Sequence, residues 1–215
     1  MNSTLTSDHL NFMPFKKLHS DIQQKLESLS IQTPTAFQTS CIPIIKSGVN
    51  VYCVASKDCG KTSTLVWTTL QKLKCEAFGN APRALVLVEN KERALEIYDT
   101  FLAYTKHNSL RVYVGHEQLH IDIQKSELFM GVDILISTPK TMNKLFLLNG
   151  VSTAQLKLIS IDDAEFLSQH SSYTALMSIA QSIQKCQYVI YSEKMLPVLK
   201  RFESYFMERS KIVSF

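Results

Sequence analysis

From residue 51 onward the chain alternates between short, nearly unbroken apolar runs and longer stretches where apolar residues recur every three or four positions. Strands buried on both faces give the first pattern, and the amphipathic helices that cover them give the second. The alternation predicts strands at 51–54, 84–88, 110–114, 133–136, 156–161, 187–191 and 211–214. Helices are expected over 61–74, 91–105, 119–130, 140–148, 163–184 with a break near 170, and 195–208. Upstream, Ser20 precedes Ile22, Leu26 and Leu29 at helical spacing, and Gln23 completes a capping-box pattern. Thr35 and Gln38 repeat that pattern before Cys41, Ile42, Ile44 and Ile45, with Pro43 expected to bend or interrupt the helix. Residues 1–14 are polar and aperiodic and read as a flexible extension; 15–215 read as one domain. The fold class that follows is an α/β three-layer sandwich with a mainly parallel sheet, whose ligands bind beyond the C-terminal ends of the strands.

Composition narrows this picture. A chain of 215 residues with 45% hydrophobic content can fill one core, and no repeat or low-complexity tract divides it. A net charge of +4 permits contact with phosphates without requiring it. Only Arg83, Arg93, Arg111, Arg201 and Arg209 supply guanidinium forks, so bidentate phosphate grips are scarce. Five cysteines without a CxxC pair point to a reducing compartment and a cytoplasmic protein. No run approaches the ~18–20 apolar residues of a membrane span. His116 and His120 stand four apart, as metal ligands on a helix can, but no third ligand accompanies them, and a metal there is not expected.

The candidate chemistry begins at 51–62, where an apolar run turns into Ala55, Ser56, Lys57, Asp58, Cys59, Gly60, Lys61 and Thr62. A phosphate-binding loop aims backbone N–H groups at nucleotide phosphates, its Lys reaches the outer phosphates, and its Thr hydroxyl sits on Mg²⁺. Gly60, Lys61 and Thr62 fit that plan. Asp58 stands where a backbone-only residue is expected and brings a carboxylate towards the phosphates. Cys59 reads as a filler of a small-residue slot, with a redox role as the alternative. The second site is 158–165, an apolar strand ending in Asp162, Asp163, Ala164 and Glu165. A carboxylate at a strand's C-terminal tip can hold the water shell of a nucleotide-bound metal; acids opening a helix also simply complement its dipole.

These residues together resemble the DEAD-box RNA helicases, specifically their first RecA-like domain, colinearly from Phe15 to Phe215. Phe15, Pro34, Thr35 and Gln38 are similar to the adenine-reading Q motif, and the 55–62 loop to motif I. Glu89, Asn90, Lys91, Glu92, Arg93 and Ala94 lie where the family has PTRELA, keeping the Glu and the final Ala. Gly115 takes the place of a Gly pair, and Thr138, Pro139, Lys140 and Thr141 that of TPGR. DDAE at 162–165 stands for DEAD, and Ser192, Glu193 and Lys194 replace SAT.

The resemblance implies ATP and Mg²⁺ as cofactors. Phe15, Gln38, Ala55, Ser56, Lys57, Asp58, Cys59, Gly60, Lys61 and Thr62 would bind nucleotide, Thr62 and Asp162 the metal. Lys61, Asp162 and Asp163 would be the catalytic groups. RNA would be held by its backbone, weakly and without sequence preference, through Lys91, Arg93, Thr138, Pro139, Lys140 and Lys144. Departures from the motifs weaken the enzyme. Asp58 opposes phosphate by roughly 1 to 4 kcal/mol. Asp163 is a methylene shorter than the Glu that positions the attacking water, and Glu193 and Lys194 replace small hydroxyl residues. The second domain, with its arginine fingers, is expected to be absent, so that a separate chain or self-association would have to supply it. Two readings stand: a helicase-type domain that binds ATP and RNA with little turnover or unwinding alone, and a scaffold that has lost nucleotide binding. A different P-loop enzyme, such as a small-molecule kinase, accounts for 60–62 but not for Gln38, Thr138 and DDAE.

Overall fold

The computed structural model describes residues 14–183 and 185–215, and the segment 1–13 of the expected flexible extension lies outside them. Seven strands form one sheet: β1 (Val51–Val54), β2 (Ala84–Leu87), β3 (Val112–Gly115), β4 (Ile134–Ser137), β5 (Leu158–Ile161), β6 (Gln187–Ser192) and β7 (Lys211–Ser214). Their order is β3-β4-β2-β5-β6-β1-β7, and every neighbouring pair is parallel. Each run read from the sequence as a strand is one.

Alternation along these strands divides the core in two. Val51, Cys53, Val86 and Ile136 face α1 (Ser20–Ser28), α2 (Ala36–Lys46), α3 (Lys61–Leu73) and α4 (Lys91–Thr105). Tyr52, Leu85, Leu135 and Ile159 face α5 (Ile121–Met130), α6 (Pro139–Leu147), α7 (His170–Gln181) and α8 (Pro197–Lys200). Both sheet faces are therefore dry, as the unbroken apolar runs require.

Three local expectations are corrected. Ser20 does not cap α1: His19 does, its Nδ1 accepting from Asp21 N at 3.4 Å, while Gln23 donates to Leu18 O. Pro43 does not interrupt α2, which runs through it with a full capping box at Thr35 and Gln38. The helix expected over 195–208 is only α8, followed by a 3-10 turn at Arg201–Ser204. There Phe202 stacks between Tyr173 and Phe206, with ring centroids 5.7 and 4.9 Å away, and this aromatic packing overrides the helical periodicity. The break near 170 is a 3-10 helix, Ala164–Ser168, before α7.

Strand order positions the site. β5 lies between β2 and β6, and β6 pairs with β1, so the loops leaving β1, β2, β5 and β6 converge at one edge of the sheet.

Candidate functional site

The loop from β1 to α3 is anchored at both ends. Ala55 N donates to Ser192 O at 3.0 Å, and beneath the turn Thr35 Oγ1 donates to Cys59 O at 2.8 Å. Gln38 Oε1 accepts from Thr35 N at 2.9 Å, and its carboxamide lies directly under Gly60. A Cβ at Gly60, whose φ is 95°, would come within 2.5 Å of Gln38 Nε2, so only glycine fits. Asp58 is exposed with φ 61°, the left-handed region that Asp tolerates better than most side chains. Its carboxylate has no ion-pair partner among the described residues. Burial pushes the Cys59 thiol up despite the nearby Lys61, which disfavours a reactive thiolate. Phe15 is buried edge-on against Trp67, 5.2 Å between centroids, and borders a cavity of about 410 Å³ with Gln23, Ile31 and Gln32.

Above the loop, a cavity of about 480 Å³ is lined by Lys57, Asp58, Gly60, Lys61, Thr62, Ser63, Arg93 and Asp163. It opens at the N-terminus of α3, where backbone N–H groups lack helical partners and favour anions. Lys61 is folded inward: its Nζ donates to Ala55 O at 2.8 Å and lies 3.4 Å from Asp163 Oδ1. Lys57 lies 3.7 Å from Glu193. Glu165 ties the acidic motif to 192–194 by accepting from Glu193 N at 2.6 Å.

Arg93, assigned from the sequence to nucleic-acid contact, instead sits between the two residues assigned to the metal. Its Nε donates to Asp162 Oδ2 at 2.6 Å and its Nη2 to Thr62 Oγ1 at 2.8 Å. Glu96 takes Nη1 at 2.9 Å. Burial works against the charge on Arg93, but the bond to Asp162 more than offsets this and holds the guanidinium above its usual range. Burial likewise pushes the Asp162 carboxyl up, and Arg93 pulls it back only in part. Asp162 Oδ1 is buried without a hydrogen-bond partner. Thr62 and Asp162 are thus brought together, but around a guanidinium; as they stand, these residues do not offer Mg²⁺ an open seat. The signal in the sequence was an Arg where the PTRELA resemblance has Leu.

The remaining nucleic-acid candidates lie further along the same edge. Lys91 Nζ donates to Gln118 Oε1 at 2.7 Å, and Thr138 caps α6, accepting from Thr141 N at 3.2 Å. Pro139 occupies the first turn of α6 and is buried, whereas Lys140 is exposed. Lys140 and Lys144 line a cleft of about 240 Å³ together with Glu117, whose carboxylate accepts from the Thr138 hydroxyl. His116 and His120 do not share a helix face. Each accepts a backbone N–H through Nδ1, from Gln118 and Asp122 respectively, His120 as the cap of α5.

Comparison with known proteins bears on this arrangement. The chain is 26% identical over 183 residues to the probable ATP-dependent RNA helicase ddx42 of Dictyostelium discoideum, covering 83% of this chain and 19% of that protein. It is 25% identical over 201 residues to the ATP-dependent RNA helicase DeaD of Escherichia coli, covering 91% of this chain and 31% of that protein. It thus spans about a fifth to a third of the length of these relatives. A crystal structure of a DEAD box protein from Methanococcus jannaschii superposes with a TM-score of 0.84 at 16% identity, over 92% of this chain and 54% of that one, which shows the shared fold. The DEAD/DEAH box helicase family profile matches residues 35–193, well over half the chain. With the loop, the acidic strand tip and the sheet order described above, this chain belongs to the DEAD/DEAH box helicase family, as a RecA-like domain of the N-terminal type.

Proposed function

We propose that this domain takes the phosphates of an adenine nucleotide on the 55–62 loop and contacts RNA weakly through its backbone, with little turnover and no strand separation by itself. The observation that carries this reading is the cavity at the α3 N-terminus, where Lys57, Lys61 and Arg93 outnumber Asp58 and Asp163. An anion there meets cationic side chains and the positive end of a helix.

Slow turnover follows from Asp163. It is held in a left-handed conformation at φ 42° and paired with Lys61, with Arg93 Nη2 3.9 Å away. A short carboxylate so engaged is poorly placed to orient an attacking water, and misplacement by an ångström costs about a hundredfold in rate. Strand separation in this reading needs a second RecA-like unit, from further sequence, a separate chain or a second copy. Cysteine usage, with all five thiols free, is the basis for placing the protein in the cytoplasm.

A second reading, in which the fold is kept as a scaffold, is favoured by Glu117, whose carboxylate occupies the Thr138 hydroxyl where an RNA phosphate would bond. Titrating ATP and GTP into wild type and Gln38→Ala decides between them. Binding with ATP favoured over GTP, and that preference lost in Gln38→Ala, supports the nucleotide reading. Silence with both nucleotides supports the scaffold.

A further inference from the structure

A cation in a nucleotide site does two things: it neutralises phosphate charge, and it is positioned by oxygen ligands from the protein. In this site the oxygens that would position the cation already bond a side chain, Arg93. Arg93 leaves the first turn of α4, just beyond β2, and β2 pairs with β5, so its guanidinium reaches the Asp162 carboxylate at the tip of the neighbouring strand. From there Nη2 spans to the Thr62 hydroxyl on α3, and Glu96, one turn further along α4, fixes the other arm. The side chain is 27% exposed and lines the phosphate cavity, so its free edge faces the ligand space.

We infer that Arg93 is a built-in substitute for the divalent cation, so that this loop binds the metal-free polyphosphate. The inference rests on the nucleotide-binding reading above and specifies the ionic form of the ligand. A guanidinium has five N–H donors. Asp162, Thr62 and Glu96 use three of them, leaving donors that can fork onto phosphate oxygens. Mg²⁺ cannot share the space without displacing the guanidinium from a 2.6 Å ion pair whose carboxylate is buried. Mg²⁺ complexed to ATP in solution therefore competes with the protein for the same oxygens instead of bridging them. Leu, the residue that the resemblance places here, could do none of this, whereas Lys would keep the charge and lose the fork.

The test is calorimetric titration of ATP, in EDTA and in excess Mg²⁺, into wild type, Arg93→Leu and Arg93→Lys. The expected result is that wild type binds more tightly in EDTA, and that Arg93→Leu reverses the order with a swing of about tenfold or more. Arg93→Lys should retain the EDTA preference with weaker binding. Thermal unfolding gives a readout free of nucleotide: Mg²⁺ alone should leave wild-type Tm unchanged and raise that of Arg93→Leu, whose Asp162 would otherwise be buried without a counter-ion. Tighter wild-type binding in Mg²⁺ than in EDTA overturns the inference and leaves the nucleotide reading intact. No binding by any variant in either buffer overturns both.

Discussion

Asp58 and Glu117 each put a carboxylate into a cleft to which the proposed reading assigns phosphate, and neither has an ion-pair partner among the described residues. Asp58→Gly removes a negative charge and a left-handed non-glycine residue at once. Nucleotide affinity should rise about five- to tenfold, roughly 1 kcal/mol at a screened surface position, as calorimetry would show. Glu117→Gln keeps the shape of the contact with Thr138 but removes the charge. Single-stranded RNA binding, followed by fluorescence anisotropy at low salt, should strengthen several-fold, and the gain should shrink as salt rises. An unchanged RNA affinity would mean that the cleft at Lys140 and Lys144 is not on the RNA path. At this scale the sequence was readable where a residue's placement is local. Gly60 and Lys61 follow from the loop, and Asp162 from its place at a strand tip. The contacts of Arg93 were not readable, because its partners lie 31 and 69 residues away, on elements brought together only by strand order.

Individual elements carry the same lesson. All seven strands were legible because burial on both faces leaves an unbroken apolar run, whereas capping by His19 and His120 was not, since histidine is an uncommon cap whose role depends on ring orientation. The Asp133 network was also missed. That carboxylate, at the start of β4, is fully buried and accepts from Arg83, Arg111 and the backbone of Phe78, joining three chain segments at the edge of the sheet opposite the phosphate loop. Burial alone would raise its pKa, but the bonds from Arg111, Phe78 and Arg83 prevail and hold it below the usual carboxylate range. A depressed pKa contributes stability that is present above the unfolded-state value, near 4, and is lost as pH falls through the folded-state value. Asp133→Asn should therefore cost about 3 kcal/mol at neutral pH by denaturant unfolding, and the gap to wild type should narrow below about pH 4. A gap that stays constant into acid would show that the carboxylate's charge is not what stabilises this edge.

On the scale of the whole molecule, the sheet order β3-β4-β2-β5-β6-β1-β7 turns separate motifs into one site by gathering the loops after β1, β2, β5 and β6. No periodicity in a sequence encodes that order; the family resemblance implied a RecA-like domain, and the fold agrees with that. What the fold adds is that two side chains come from other elements onto the motif residues: Arg93 onto Thr62 and Asp162, and Glu117 onto the Thr138 hydroxyl. The most direct measurement of the account is binding of ATP and ADP, with and without Mg²⁺, to wild type and Lys61→Ala. Lys61 is buried and lines the cavity at the α3 N-terminus, so wild type should bind saturably and a Lys61→Ala protein that remains folded should lose binding by about a hundredfold. Wild type silent under every condition, or Lys61→Ala binding as well as wild type, would contradict it.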